Sequence, residues 1–231
     1  MARSALSSVA ATNSFFSNSS YGHAFSLHPP HPSAYSFAKR ALDVMGGLVG
    51  LIIFTLVFIP IAIAIKLESP GPILYAQERY GLQGQPFTMW KFRSMVQGAD
   101  ALKAQVKNEA KGLIFKNEQD PRITNVGRFL RQTSLDELPQ FWHVLSGEMS
   151  LVGTRPPTAD EVGQYSKRHW QRLSVKPGMT GEWQVNGRSS IKDFEQIVDL
   201  DLRYQSLWTP IYDLSIILKT IYVLLARIGA H

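Results

Sequence analysis

The sequence contains no cysteine. That absence excludes a disulfide framework, a thiolate zinc site and a cysteine nucleophile, and it leaves the redox compartment undetermined. No two histidines lie four residues apart, so the usual motif of zinc hydrolases is missing as well. Acidic residues are outnumbered, because 18 Asp and Glu accompany 24 Lys and Arg and give a formal net charge of +6. This excess predicts an anionic partner: a nucleic acid, an anionic membrane surface or a phosphorylated substrate.

Residues 1–36 lack a sustained hydrophobic period and are rich in serine, proline and histidine. A segment of this composition buries too little apolar surface to offset its chain entropy, so we expect a disordered tail. It also lacks an apolar core long enough for a signal peptide.

Charged residues are missing from Val44 to Ile65. As a helix this run would be about 33 Å long, enough to cross the hydrocarbon core of a bilayer. A helix of a soluble core usually has a polar face, whereas this run is apolar on every side. We therefore expect residues 37–68 to form a membrane-embedded helix.

Pro60 lies in the C-terminal third of this helix and is expected to kink it, because its ring disrupts the backbone hydrogen-bond ladder. The apolar helix up to Ile59 would be only about 24 Å long, short of the ~30 Å core. Lys39 and Arg40 flank its start and a basic domain follows Lys66. Because positive segments prefer the cytoplasmic side, a re-entrant helix that bends at Pro60 satisfies both ends. A single kinked span is the alternative.

Residues 69–228 carry short strand and helix patterns in mixed order, which predicts a small mixed α/β domain and an α+β fold overall. Ile73–Gln77 and Phe87–Phe92 are aromatic and β-branched and flank a glycine-rich turn, as expected of two strands. A helix is predicted over about Leu135–Leu145, ending at Gly147.

Two further helices are expected. Residues 157–173 are charged and helix-compatible. The C-terminal segment has apolar residues at helical spacing, but Asp213 and Lys219 interrupt it and make it a poor membrane span. With Trp208 and Tyr212 at its start, it favours a helix that lies in the membrane interface or packs on the core.

Two adjacent carboxylates, Asp136 and Glu137, stand where the helix after Ser134 begins. The pattern matches a capping box, in which Ser134 and Glu137 satisfy each other's backbone N–H groups. The same position also suits chemistry, because a carboxylate near a helix N-terminus stays ionised and can act as a nucleophile or bind Mg²⁺. The local pattern leaves both interpretations open.

Several basic residues lie close to glycine or proline turns and not on regular helix faces. Arginine matches phosphate oxygens in a bidentate fork, and several cations are needed to hold a diphosphate. The group favours an anion site, although any one member could be a solvated surface charge. Its members are Lys91, Arg93, Arg131, Arg155 and Arg188.

Except for Arg131, which lies just before the central block, these residues fall within a series of motifs that resembles the bacterial sugar transferases, the small membrane-dipping polyprenyl-phosphate phosphoglycosyl transferases. The resemblance covers about residues 38–228, and the long central block is its most specific part. In chain order the motifs are KRALD, SPGPILYAQERYG, KFRSM, SLDELPQFWHVLSGEMSLVGTRP, KPGMTGEWQVNGR and LDLRY. The sequence has no multi-span N-terminal region like that of larger members, so we expect the minimal catalytic form.

The resemblance implies an enzyme that transfers a sugar 1-phosphate from a UDP-sugar to polyprenyl phosphate, in particular undecaprenyl phosphate. The products would be polyprenyl-diphospho-sugar and UMP, in the initiating step of surface glycan or exopolysaccharide synthesis. Asp136 matches the nucleophile that forms an aspartyl-phosphosugar intermediate. Glu137 matches its partner, which helps to hold Mg²⁺.

The resemblance also implies candidate substrate-binding or site-organising residues. They are Lys91, Arg93, Arg131, Arg155, Asn186, Arg188 and Asp201.

A re-entrant helix in the bacterial inner membrane is expected from the resemblance, with the catalytic domain on the cytoplasmic face. One position departs from the family pattern, since Ile59 precedes Pro60 where a serine is typical. Isoleucine offers no hydroxyl to a freed backbone carbonyl, so a shallower bend is expected.

A membrane-tethered basic binding or scaffold protein is the competing hypothesis. The lysines and arginines are dispersed, however, and no nucleic-acid module is recognisable, so we expect no nucleic-acid partner. The sequence does not predict which sugar is carried or the oligomeric state.

Overall fold

The computed structural model describes residues 29–187 and 190–226. The predictions for residues 1–28 and for Arg188 therefore concern positions outside the described residues. Within the described ranges, a long N-terminal helix lies against a domain of short helices and two small sheets. This arrangement agrees with the predicted α+β fold.

Residues 29–36 are ordered, so the prediction of a disordered tail through residue 36 is wrong for this part. Pro32–Tyr35 form a 3-10 turn, and the backbone N–H of His31 donates to the Ser174 carbonyl at 2.8 Å. The His31 ring meets the Trp208 ring edge to face, with 5.7 Å between their centroids. The composition of the tail could not reveal these partners, because they lie far away in sequence.

Helix α1 (Phe37–Glu68) is continuous through Pro60. The Ser36 side chain caps its start by accepting from the Lys39 backbone N–H at 3.3 Å. By length and composition, α1 is the one helix among the described residues that could cross a membrane. The long apolar helix predicted over residues 37–68 is therefore confirmed. Its outward side chains stay exposed, among them Leu48, Ile52, Leu56 and Ile63.

A buried ion pair attaches the start of α1 to the domain. Lys39 Nζ donates to Asp213 Oδ2 at 2.7 Å and to the Val152 carbonyl at 2.8 Å. Asp213 also accepts hydrogen bonds from Tyr204 Oη and Trp208 Nε1. Both charged side chains are almost fully buried. Removing either charge from water alone would be costly, and the opposite charge of its partner offsets that cost.

The next turn of α1 adds two further attachments. Asp43 Oδ1 accepts from the Leu151 backbone N–H at 2.8 Å. Arg40 donates to the carbonyls of Val144 and Leu145 at 2.7 and 2.6 Å, at the C-terminal end of a short helix where cations are favoured. The polar residues of the KRALD motif thus join α1 to the domain.

The apolar contacts of α1 continue along its length. Gly50 allows a close approach, because a Cβ at that position would overlap the Phe141 ring. Near the other end, Ile61 and Ile65 are buried in an apolar cluster. Their buried partners in the cluster are Phe92, Leu130 and Leu138. The domain therefore contacts both the first and the last turns of α1.

Two small sheets organise the domain. Strands β1 (Leu74–Tyr80) and β2 (Pro86–Phe92) form an antiparallel hairpin, which confirms the two predicted strands and extends the first. Strands β3 (Ser150–Val152) and β4 (Gly178–Thr180) pair in parallel.

The remaining helices are mostly short. In chain order they are α2 (Asn125–Thr133), α3 (Phe141–Ser146), α4 (Ala159–Val162), α5 (Lys167–Trp170), α6 (Glu182–Val185), α7 (Phe194–Leu207) and α8 (Pro210–Leu225).

The single helix predicted over residues 157–173 is wrong, because the chain breaks between α4 and α5. Ser166 is extended there, and its side chain accepts from the His169 backbone N–H to start α5. The C-terminal helix α8 packs on the core through Asp213 and Ile216, while Leu218 and Leu225 stay exposed on its other side.

Replacing Lys39 by Met should destabilise the protein by about 3–5 kcal/mol, because the Asp213 carboxylate would stay buried without its cation. The matched control is Lys103→Met, which removes an ion pair with the exposed Asp160 and should cost at most about 1 kcal/mol. Denaturant unfolding of the detergent-solubilised full chain, followed by circular dichroism, measures both changes. An equally small loss for the two variants would contradict the role given to Lys39.

Candidate active site

Ser134 turns the chain sharply between α2 and the segment that carries the two carboxylates. Its backbone is left-handed, with φ 57° and ψ 18°, whereas a capping serine is normally extended. The Ser134 carbonyl accepts the Glu137 N–H at 3.2 Å, and its side chain makes no capping bond. The capping-box interpretation is therefore wrong, and helix capping no longer accounts for the acidic pair.

The segment after Ser134 is a 3-10 helix, Leu135–Gln140, followed directly by α3. The predicted α-helix over these residues is thus correct only in its second half. Pro139 lies within the first half and has no backbone N–H to donate, which disfavours a regular α-helix there. The predicted end at Gly147 is confirmed, where φ is 89°.

The two carboxylates differ in their surroundings. Asp136 is only 6% exposed, so its carboxylate is shielded from bulk water. Glu137 is about one-third exposed, and its Oε1 accepts from Lys91 Nζ on β2 at 2.7 Å. The hairpin thus supplies a cation directly to the acidic pair.

Two arginines add positive charge close by. Arg79 on β1 donates to the Pro156 carbonyl at 2.9 Å, and Arg155 Nη1 pairs with Glu161 Oε2 at 2.8 Å. Burial and the neighbouring charge of Arg155 lower the pKa of Arg79 to about 10, while Glu161 and Glu137 oppose this effect. Two partly buried cations within each other's field favour a nearby anion. Sequence reasoning missed Arg79, because nothing in its strand pattern distinguishes it from a surface charge.

Lys116 is a further cation that sequence reasoning missed. Its Nζ donates to the Ile191 carbonyl at 2.7 Å and lies 5.8 Å from the centroid of the Trp183 ring. Burial, and then the charge of Arg155, lower the pKa of Lys116 to about 8. The lysine comes from an irregular loop, so only the tertiary fold brings it towards Arg155.

Arg93 and Arg131 both donate hydrogen bonds to protein acceptors. The Arg93 guanidinium donates to the carbonyls of Pro70 and Ser69 at 2.6 and 2.7 Å, and to the Ile65 carbonyl at 3.3 Å. It therefore binds the C-terminal end of α1. Arg131 Nε donates to Ser94 Oγ at 2.9 Å, just beyond β2.

Asp201 is linked to Arg155 through Arg172, whose Nη2 donates to the Arg155 carbonyl at 3.5 Å. It is 1% exposed and pairs with the buried Arg172, whose Nε lies 2.7 Å from Asp201 Oδ2. Burial raises the pKa of Asp201 to about 6, although Arg172 opposes the shift. The second oxygen, Oδ1, has no hydrogen-bond partner among the described residues. Asn186 donates to the Glu182 carbonyl at 2.8 Å and ends α6.

The carboxylates in the 3-10 helix are possible Mg²⁺ ligands. No cluster of three or more metal-ligating side chains occurs in the described part of the chain. Mg²⁺ is commonly held by one or two carboxylates together with substrate phosphates, and Asp136 and Glu137 fit that pattern. Gln140 adds a buried amide whose Nε2 has no acceptor among the described residues. A substrate oxygen would satisfy this donor.

Comparison with known proteins gives consistent matches. Residues 34–227 match the family described as bacterial sugar transferase. The galactosyl transferase CpsE of Streptococcus agalactiae is 48% identical over 199 residues, which cover 85% of this chain and 44% of the relative. The UDP-glucose:undecaprenyl-phosphate glucose-1-phosphate transferase of Escherichia coli is 40% identical, covering 80% of this chain and 39% of the relative.

A shorter relative matches almost end to end. The exopolysaccharide production protein ExoY of Rhizobium meliloti is 36% identical, and the match covers 84% of this chain and 88% of the relative. The chain spans less than half the length of the first two relatives. The family match and these identities establish that the chain belongs to the bacterial sugar transferase family.

Proposed function

We propose that this chain transfers a sugar 1-phosphate from a UDP-sugar to polyprenyl phosphate, giving polyprenyl-diphospho-sugar and UMP. The observation that carries the proposal is a shielded carboxylate, Asp136, beside a second carboxylate that binds Lys91. Relatives named for transfer of glucose 1-phosphate or galactose phosphate with undecaprenyl phosphate support the same reaction class. A binding or scaffold role gives no reason for this costly arrangement of buried charge.

The reaction would proceed by two displacements at one phosphorus atom. An Asp136 carboxylate oxygen attacks the phosphorus that bears the sugar, and the bond to UMP breaks as UMP leaves. A phosphate oxygen of the polyprenyl phosphate then attacks the same phosphorus and releases the carboxylate. The shielding of Asp136 supports this role, because water that could hydrolyse the intermediate is kept away.

The surrounding residues would position and neutralise the diphosphate. Lys91 holds Glu137 in place and adds a positive charge next to the reacting group, as phosphoryl transfer requires. Arg79 and Arg155 lie close enough to affect each other's charge and would bind phosphate oxygens. Asp136 and Glu137 would hold Mg²⁺, which when bound neutralises phosphate charge.

We further propose that α1 is re-entrant and that the domain lies on the cytoplasmic face of the bacterial inner membrane. Lys39 binds the domain at the start of α1, and Arg93 binds its C-terminal end. A helix held by one domain at both ends cannot readily place those ends on opposite sides of a ~30 Å core. The basic residues at both ends support the cytoplasmic side.

Asp136→Asn should abolish UMP release, because the amide cannot act as the nucleophile. Asp160→Asn is the matched control, since Asp160 is exposed and should be dispensable. The measurement is UMP formed from a panel of UDP-sugars with undecaprenyl phosphate by the full chain in detergent. Substantial turnover by Asp136→Asn would reject its role as nucleophile.

Lys91→Gln should lower kcat by about 100-fold, because a positioned charge near the transferred phosphate is lost. Lys107→Gln removes an exposed lysine and serves as the control. Steady-state kinetics separate kcat from KM for the UDP-sugar. A change confined to KM would mean that Lys91 contributes only to ground-state binding.

Single cysteines test the topology without background labelling, because the sequence has none of its own. Ser8→Cys in the tail and Lys107→Cys in the domain should react with a membrane-impermeant thiol reagent from the same side of sealed vesicles. Labelling of the two positions from opposite sides would show that α1 spans the bilayer.

A further inference from the structure

A cavity of about 120 Å³ lies at the start of α1, at the end away from the carboxylate pair. It is larger than the ~30 Å³ that one water molecule takes in the liquid. The polar side chains that line it are those of Ser33, Ser36, Lys39, Arg40, Asp43 and Lys176. Most of the lining therefore can donate or accept hydrogen bonds.

Two of these charges are already compensated. Lys39 pairs with Asp213 at 2.7 Å. Asp43 accepts two hydrogen bonds, from Ser150 Oγ and the Leu151 N–H, each at 2.8 Å. Neither charge is therefore available as the main attraction for a ligand.

Lys176 and Arg40 are different. Among the described residues, no salt bridge or side-chain hydrogen bond holds the Lys176 ammonium. Arg40 uses two N–H groups on the carbonyls of Val144 and Leu145, out of the five that a guanidinium carries. Both cations therefore have donor capacity to spare.

The two cations lie close together. A Cβ placed on Gly147 would be 3.6 Å from Lys176 Nζ and 3.8 Å from Arg40 Nη1. Burial, and then the charge of Arg40, lower the pKa of Lys176, while Asp43 opposes this effect. An anion between the two cations would relieve their repulsion.

The surroundings of the cavity indicate where such an anion would come from. The exposed aromatic side chain of Tyr35 lines it, and tyrosine favours the membrane–water interface. Roughly 30 Å of helix separates Arg40 from Ile61, where Leu138 of the carboxylate segment packs. The cavity is thus separate from the active site, and with α1 embedded in the membrane as proposed above it lies at the level of the lipid headgroups.

We propose that this cavity is a second phosphate-binding site, in which Lys176 and Arg40 hold the phosphate of an anionic ligand at the membrane interface. A lipid headgroup and free phosphate share this chemistry, and the experiment below distinguishes them. Bound there, the ligand would join the start of α1 to the loop before β4, and so stabilise the docking of the membrane helix.

The test measures the thermal midpoint of the full chain in detergent as ligand is added. The probes are short-chain phosphatidylglycerol, short-chain phosphatidylcholine and inorganic phosphate. The choline cation of phosphatidylcholine would be repelled by Lys176 and Arg40, so this lipid should bind poorly. We expect the midpoint to rise with phosphatidylglycerol and not with phosphatidylcholine. Lys176→Gln should weaken the apparent affinity about tenfold, whereas Lys176→Arg should retain it.

The exposed Lys167 provides the control, because Lys167→Gln removes the same charge elsewhere and should leave the response unchanged. Ala34→Phe fills the cavity while keeping both cations, and it should weaken the response even if Lys176→Gln does not fold. A response to inorganic phosphate at the same affinity would assign the site to free phosphate. An unresponsive wild type, or responses equal in wild type, Lys176→Gln and Ala34→Phe, would overturn the proposal.

Discussion

The buried pair of Lys39 and Asp213 is the interaction on which the rest of the architecture depends. Two charges removed from water cost several kcal/mol each unless they are paired and hydrogen-bonded, and here Tyr204 and backbone groups complete the arrangement. The pair fixes the start of α1 to the domain, and Arg93 fixes its C-terminal end through the Ile65 carbonyl and its neighbours. A long apolar helix is thereby held along the domain, and the carboxylate segment packs directly against it. The proposed chemistry on a lipid phosphate needs such proximity between an apolar helix and polar reacting groups.

The candidate active site contains several features that lower the stability of the fold. Ser134 adopts a left-handed backbone that costs of order 1–3 kcal/mol in a residue other than glycine. Asp136 is largely shielded from water, and the partly buried Arg79 lies within the field of Arg155. The phosphates of an anionic substrate would pair with the cations, and this pairing would offset the unfavourable free energy of placing the cations close together. This is why converging buried charge supports catalysis more strongly than the acidic pair does by itself.

Much of this could be predicted from the sequence, and the failures have physical causes. The apolar helix and the hairpin follow from an uncharged run and from strand patterns around a glycine turn, both local signals. The capping-box interpretation was wrong because the residue pattern alone does not determine the backbone conformation of Ser134, which is left-handed in the structure. Arg93 lies in a sequence pattern that favours phosphate binding, yet in the fold its guanidinium binds backbone carbonyls at the end of α1. Arg79 and Lys116 could not be recognised, since their proximity to Arg155 arises only in three dimensions.

In the proposed mechanism, Asp136 carries the transferred phosphosugar. The most direct test of this role is mass spectrometry of the full chain incubated with a UDP-sugar in the absence of lipid acceptor, followed by peptide analysis. We predict a mass gain of one sugar phosphate on the peptide that contains Asp136, in proportion to UMP released, and its loss when undecaprenyl phosphate is added. Turnover with no adduct on this peptide, or an adduct on another residue, would contradict the account.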